Sequence, residues 1–303
     1  MINVHFIVNE KAGNGKGSLR WNTIEKQITF PYKLFKTTGP ESATSYVKSI
    51  PEHNECHLVI AIGGDGTIHE VINGAAYRSD LIIGFIRAGS GNDFARGIQC
   101  FHSIQEVERF IKTGTEAQSI DLGKINGTSL DRYFVNNCGL GFDAYVSHLV
   151  NTSQVKKVFN RLYLGRLSYI YIMLRALFTY EPFELEIVQK NERRYYKNVW
   201  FVTGSNQPYF GGGMKISPLS NIADSKLEVT VVSNLPRWKF VLLFLTVYKG
   251  NHLQYKEVEQ FTFEEAILRP NVSVHCHTDG ESYVLDTLEY KIKVQSNALC
   301  IAK

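Results

Sequence analysis

Five residues, Gly63-Gly64-Asp65-Gly66-Thr67, limit this chain more than any other stretch. They follow the unbroken apolar run Leu58-Val59-Ile60-Ala61-Ile62 and precede a segment in which Ile68, Val71, Ile72 and Ala75 share one helical face. Buried strand, glycine loop and amphipathic helix in that order place backbone N–H groups at a helix N-terminus, where they can cradle a phosphate. Side chains on the glycines would obstruct that approach. Asp65 offers a carboxylate to a hard cation, and Thr67 can cap the helix or donate to phosphate. A tight structural turn is the other use open to the same residues.

The surrounding third of the chain repeats the rhythm. Short apolar runs near residues 2–8, 32–37, 57–62 and 81–86 alternate with helical patterns, which predicts a parallel α/β sheet. Ser103-Ile104-Gln105-Glu106 is a capping-box pattern opening a further helix that stops near Gly114. After Asp121-Leu122-Gly123 the texture turns strand-like, at Tyr133 to Val135, Phe183 to Gln189, Val199 to Thr203, Leu227 to Val232 and Val272 to His277. Asn126-Gly127 signals a hairpin turn. A chain of 303 residues exceeds what one core usually serves. The expectation is therefore an α/β domain over 1–128 and a mostly β domain over 129–285, packed closely with a cleft between them.

Composition narrows the class. Hydrophobic residues at 44% and charged residues at 20% indicate an ordinary globular protein. A net charge of +4 implies no nucleic-acid footprint but suits anionic phosphates or lipid surfaces. Cys56, Cys100, Cys138, Cys276 and Cys300 are scattered and read as reduced thiols. His275 and His277 alternate on one strand and read as a packed or solvent-facing pair, not a zinc site. The start has no signal-like segment, and no apolar run approaches the roughly 18 residues of a membrane span, so a cytoplasmic location is expected. Two greasy segments, Phe159 to Tyr180 and Trp238 to Tyr248, carry arginine and lysine. They leave two uses open, packing on the β domain or facing lipid.

Further motifs follow in order: Gly89-Ser90-Gly91-Asn92-Asp93-Phe94-Ala95-Arg96, Asp121-Leu122-Gly123, Gly139-Leu140-Gly141-Phe142-Asp143, Gly211-Gly212-Gly213 and Asp279-Gly280-Glu281. With the glycine signature they resemble the diacylglycerol kinase catalytic-domain family, which includes soluble bacterial lipid kinases and sphingosine and ceramide kinases. The resemblance spans nearly the whole chain. It implies an α/β nucleotide-binding domain of NAD kinase/diacylglycerol kinase-like fold followed by a β-sandwich, α+β overall, with residues 286–303 returning to the first domain. It also implies transfer of the γ-phosphate of ATP, with Mg2+, to the hydroxyl of diacylglycerol or a related membrane lipid. Peripheral contact with the membrane and a homodimer are implied as well, and nucleic acid is not.

Residue by residue, the resemblance assigns nucleotide contacts to Asn9, Gly13, Thr38, Gly63, Gly64, Asp65, Gly66, Thr67, Glu70, Ser90 and Asn92. Asp65, Asp93 and Asp121 would form the magnesium network, although alone Asp93 reads as a helix cap and Asp121 as a strand-end turn. Asn221, Asp224 and Lys226 would hold a second, structural magnesium. Asp279-Gly280-Glu281 reads in isolation as a hairpin turn; the resemblance makes Glu281 the first choice for the base and Asp279 the second, positioning the nucleophile or metal. The sequence departs from the family pattern at Glu10, where proline is usual, and at Ser225, where glycine is usual. NAD kinases share the glycine signature and are the rival enzyme class. A lipid-binding relative without turnover is the rival of another class.

Overall fold

The computed structural model describes residues 2–52, 55–89, 93–98, 100–113, 117–152, 165–284 and 287–302. In the first third β1 (Asn3–Val8), β2 (Lys33–Lys36), β3 (His57–Gly63) and β4 (Leu81–Arg87) pair in parallel in the order β2-β1-β3-β4. Parallel strands covered on both faces must be apolar throughout. All of β3 is buried, and in β4 only Arg87 is exposed. One face, with Phe6, Leu58, Ile60 and Ile62, packs on Trp21 and Ile24 of α1 (Ala12–Glu25). The other, with Ile7, Val59 and Ala61, packs on Val47 of α2 (Ser42–Ser49) and on Ile68, Val71, Ile72 and Ala75 of α3 (Asp65–Ala75).

A one-turn helix, α4 (Phe94–Gly97), precedes α5 (Ile104–Thr113). Ser103 Oγ accepts the Glu106 N–H, and the Glu106 carboxylate reaches back to the N–H of His102, one residue before the serine. β5 (Ala117–Gly127) and β6 (Leu130–Phe134) form the expected hairpin, but its turn is Thr128-Ser129 instead of Asn126-Gly127. The Asn126 amide is committed to Asp131 across the strands at 2.8 Å, and the turn lies two residues further on.

The rest is antiparallel: β7 (Asn137–Gly141), β8 (Phe183–Gln189), β9 (Glu192–Ser205), the two-residue strands β10 (Tyr209–Phe210) and β11 (Met214–Lys215), β12 (Leu227–Ser233), β13 (Val258–Phe263), β14 (Glu265–Pro270), β15 (His275–Thr278) and β16 (Glu281–Val284). The strand expected from Val272 starts at His275, because Asn271 is held against Glu184 where β14 ends. Cys138, Leu140, Val202, Val229, Leu268 and Cys276 fill the sandwich interior. α6 (Phe142–Thr152), α7 (Gly165–Thr179) and α8 (Arg237–Val247) form an outer layer over Trp200 and Val232. The last strand, β17 (Tyr290–Ala302), pairs antiparallel with β14 and β5 and then parallel with β4 at Cys300 and Ile301. One continuous sheet therefore joins both halves. All five cysteines are free. No helix among the described residues is long and apolar enough to cross a membrane.

His5 of β1 and His57 at the start of β3 are both buried, with His5 Nε2 3.1 Å from His57 Nδ1 and His5 Nδ1 2.9 Å from the hydroxyl of Tyr46 on α2. Burial first, then His57 and Lys33, hold the His5 pKa down to about 4. The unfolded chain titrates near 6.5, so between those values it binds a proton that the folded protein refuses. Stability is complete above pH 6.5 and is lost as pH falls toward 4, by up to about 3 kcal/mol from His5. Denaturant unfolding across that window should show the loss, and His5→Gln should flatten it.

Candidate active site

The signature loop, the start of α1, the segment after β2 and the β15–β16 hairpin border one cavity of about 600 Å³. Among the residues expected at nucleotide, Asn9, Gly13, Thr38, Gly64, Gly66, Thr67 and Glu70 line it, as does Glu281 from the sandwich half. Gly63 and Asp65 do not line it. Ser90 and Asn92 lie outside the described residues.

The wall is set by local chemistry. Asn9 Nδ2 donates to Thr67 Oγ1 at 3.0 Å, tying the first loop to the signature, while Asn9 Oδ1 accepts the Lys11 N–H. Gly13, Asn14 and Gly15 are left-handed and break α1 into a loop before its regular part. At Gly13 a Cβ would stand 2.4 Å from the Ala88 carbonyl oxygen. Gly13→Ala is therefore expected to cost about 1–3 kcal/mol and to weaken nucleotide binding; unchanged denaturant and ATP titrations would contradict this. Glu10, the departure from the family pattern, pairs with Lys36 at 2.8 Å and does not line the cavity. Glu70 accepts the Ala43 N–H at 2.9 Å and so anchors α2 beside the Thr38 segment. Burial pushes its carboxyl pKa up.

Glu281 is exposed at the first position of β16, and its Oε1 lies 3.1 Å from where a Cβ on Gly66 would sit. A carboxylate from the second half thus meets the signature turn of the first. The intervening turn is Asp279-Gly280, both left-handed, closing the hairpin between Thr278 and Glu281.

Asp279 corrects an expectation. Its side chain is fully buried, and its oxygens receive the N–H groups of Val135, Asn136 and Asn137 and face His69 Nδ1 at 3.0 Å. A carboxylate so engaged is not placed to take a proton from a substrate. It fixes the hairpin that carries Glu281.

The three expected magnesium aspartates are also not gathered, and no group of three His, Cys, Asp or Glu among the described residues is arranged around one ion. Asp65 Oδ1 accepts the N–H of Phe94, capping α4, so the cap expected from Asp93 comes from Asp65. Asp93 is buried between Arg96 (3.0 Å) and the Gly212 N–H (2.7 Å), and burial pushes its pKa up. Asp121 accepts the N–H groups of Ser225 (2.6 Å) and Asn297 (2.8 Å), which makes it a clasp between β17 and the 221–226 loop. In that loop Asn221 and Asp224 each accept a backbone N–H two residues on, those of Ala223 and Lys226. Their carboxamide and carboxylate serve local turns. His277 is buried against Asp143 at 3.0 Å and stacked on Phe210, while His275 packs beside Tyr145 and His148.

Several residues that hold the site together escaped the sequence reading. His69 and Asn73 project from α3, one to Asp279 and the other to the backbone of Tyr133. Asn206 Nδ2 donates to the carbonyls of Asp121 and Val135, and Gln207 Nε2 donates to that of Asp93. The available signal was a run of amides, Asn136-Asn137 and Asn206-Gln207, at the ends of strands that read as buried.

Comparison with known proteins fits this layout. Residues 3–125 match the diacylglycerol kinase catalytic domain, and residues 136–303 match the YegS C-terminal NAD kinase beta sandwich-like domain. The Bacillus subtilis protein named "Putative lipid kinase YtlR" is 33% identical over 98% of each chain. A B. subtilis diacylglycerol kinase is 28% identical over 84% of this chain and 81% of its own. The crystal structure of a "putative diacylglycerol kinase" from Bacillus anthracis superimposes with a TM-score of 0.74 at 25% identity, covering 99% of this chain and 94% of that one. An NAD kinase from Archaeoglobus fulgidus, solved with ATP, shares the fold at a TM-score of 0.51 and 9% identity. The chain belongs to the diacylglycerol kinase catalytic-domain family, in the form that joins this catalytic domain to a YegS-type β-sandwich.

Proposed function

We propose that this protein is an ATP- and magnesium-dependent lipid kinase that transfers the γ-phosphate of ATP to a hydroxyl of diacylglycerol or a closely related membrane lipid. The position of Glu281 carries the reading: an exposed carboxylate from the sandwich stands against the glycine turn of the α/β half. Phosphoryl transfer has a loose transition state, so the protein's work is to position the reactants and neutralise charge. The backbone donors of the Gly64 to Thr67 turn and the Lys11 to Gly13 loop hold the nucleotide, and Glu281 takes the proton from the incoming hydroxyl as its oxygen attacks the γ-phosphorus and the bond from that phosphorus to the bridging oxygen breaks, releasing ADP. Residues 1–128 with 286–303 serve the nucleotide, and residues 129–285 serve the lipid.

Asp65 is the residue that would hold magnesium here, by exchanging the Phe94 N–H that its Oδ1 now accepts for the ion. It is a hard oxygen donor in the first turn of α3, and such a cation needs only one or two direct carboxylates, with water elsewhere. Held there, the ion would neutralise charge on the phosphate oxygens. Asp93 and Asp121 do not line the cavity, and each is engaged by backbone donors elsewhere. The NAD kinase alternative has the fold in its favour but only 9% identity to the solved example. ADP release by the purified protein should rise with mixed micelles of diacylglycerol and stay at background with NAD. The reverse pattern would remove the lipid reading.

A further inference from the structure

Among the described residues, the outer sides of α7 and α8 are exposed. In α8, Trp238, Val241, Leu242 and Leu245 are exposed, and Tyr248 just beyond continues the stripe at helical spacing. In α7, Tyr171, Leu174 and Phe178 do the same, Phe178 at 74% exposure. The inner sides of both helices, with Met173, Ala176, Leu177, Phe240, Leu243 and Val247, enter one cluster. Arg237 joins the helices, donating to the carbonyls of Leu177 (3.1 Å) and Tyr180 (2.8 Å) at the end of α7. The two stripes therefore belong to one outer layer of the sandwich. Single exposed apolar residues are ordinary, but seven on two joined helices, with Tyr248 just beyond, form a patch of the kind that marks an interaction surface.

We propose that this face of α7 and α8 docks the protein onto an anionic bilayer. The inference rests on the lipid-kinase reading, which puts the acceptor hydroxyl in a membrane. Charge selects this occupant. Neither helix contains Asp or Glu, and Arg175 and Lys249 are exposed beside the stripes without an ion pair among the described residues. The charge of Lys239 is already answered by Glu257 at 2.7 Å. Two copies meeting on a two-fold axis would set this patch against itself, apposing like charges with no helix acid to answer them. An anionic leaflet answers the cations, accepts the aliphatic side chains, and seats the Trp and Tyr rings at headgroup depth.

Trp238 is a built-in reporter. Trp21 and Trp200 are each 1% exposed, whereas Trp238 is 69% exposed. Phosphatidylglycerol-rich vesicles with brominated acyl chains, added without ATP, should quench and blue-shift its emission. The double variant Leu242→Glu, Leu245→Glu, checked for an unchanged circular dichroism spectrum, should lower vesicle partitioning by about tenfold or more. Equal partitioning of variant and wild type, or no quenching of Trp238, overturns the docking face. A wild-type dimer in sedimentation velocity that the double substitution splits, with no vesicle binding, assigns the patch to a second copy and also overturns it. Failures of the two readings separate. Quenching with no lipid phosphorylated leaves docking standing and removes the kinase assignment, whereas phosphorylation in detergent micelles without quenching does the opposite.

Discussion

Glu281→Gln is expected to fold like the wild type and to lose turnover by about 100- to 10,000-fold, the usual contribution of a positioned proton acceptor. Folding is spared because the Glu281 side chain is exposed and makes no hydrogen bond among the described residues, the turn being set by Asp279-Gly280 and the backbone pairing of Thr278 with Glu281. ATP affinity should change little, since the backbone cradle from Gly64 to Thr67 is untouched. A fall confined to kcat with KM for ATP held is the signature of a group that acts on the acceptor hydroxyl. Retention of full turnover would show that Glu281 stands at the cavity without taking part in the chemistry.

The second large effect is structural. Asp279→Ala should destabilise the protein by about 3–5 kcal/mol, because removing one buried carboxylate leaves His69 and three backbone N–H groups without their acceptor. Those donors come from α3 and from the link between β6 and β7, so the loss falls on the seam between the two halves. Against a total stability of about 5–15 kcal/mol, such a loss is severe. Asp279→Asn keeps an oxygen acceptor and should recover part of it. In denaturant unfolding the order should be wild type, then Asn, then Ala; an alanine variant as stable as wild type would mean that water satisfies the four donors. Activity in the asparagine variant should fall with misplacement of Glu281, two residues along the same hairpin.

What could be read in the sequence, and what could not, follows from how local each feature is. The signature loop, strands β1 to β4 and the apolar face of α3 were legible because glycine spacing and helical period act within a dozen residues. The capping box of α5 was legible for the same reason. The role of Asp279 was not: its partners lie 142 to 210 residues earlier in the chain, and the same three residues form a turn whether or not the aspartate is buried. Asp121 shows the same limit, since its partners are Ser225 and Asn297. The family resemblance grouped three aspartates in one network, whereas folding sends each to different donors. The two greasy helices were found by composition, but only packing divides each into a face that enters the core and a face left outside.

The most direct test of lipid-kinase activity is to follow labelled γ-phosphate from Mg-ATP into a panel of micellar lipids, with NAD in parallel and Glu281→Gln beside the wild type. The expected result is label in a phosphate monoester of diacylglycerol or a related lipid, recovered in the organic phase and nearly absent with the variant. Label in NAD, or equal labelling by both proteins, would contradict it.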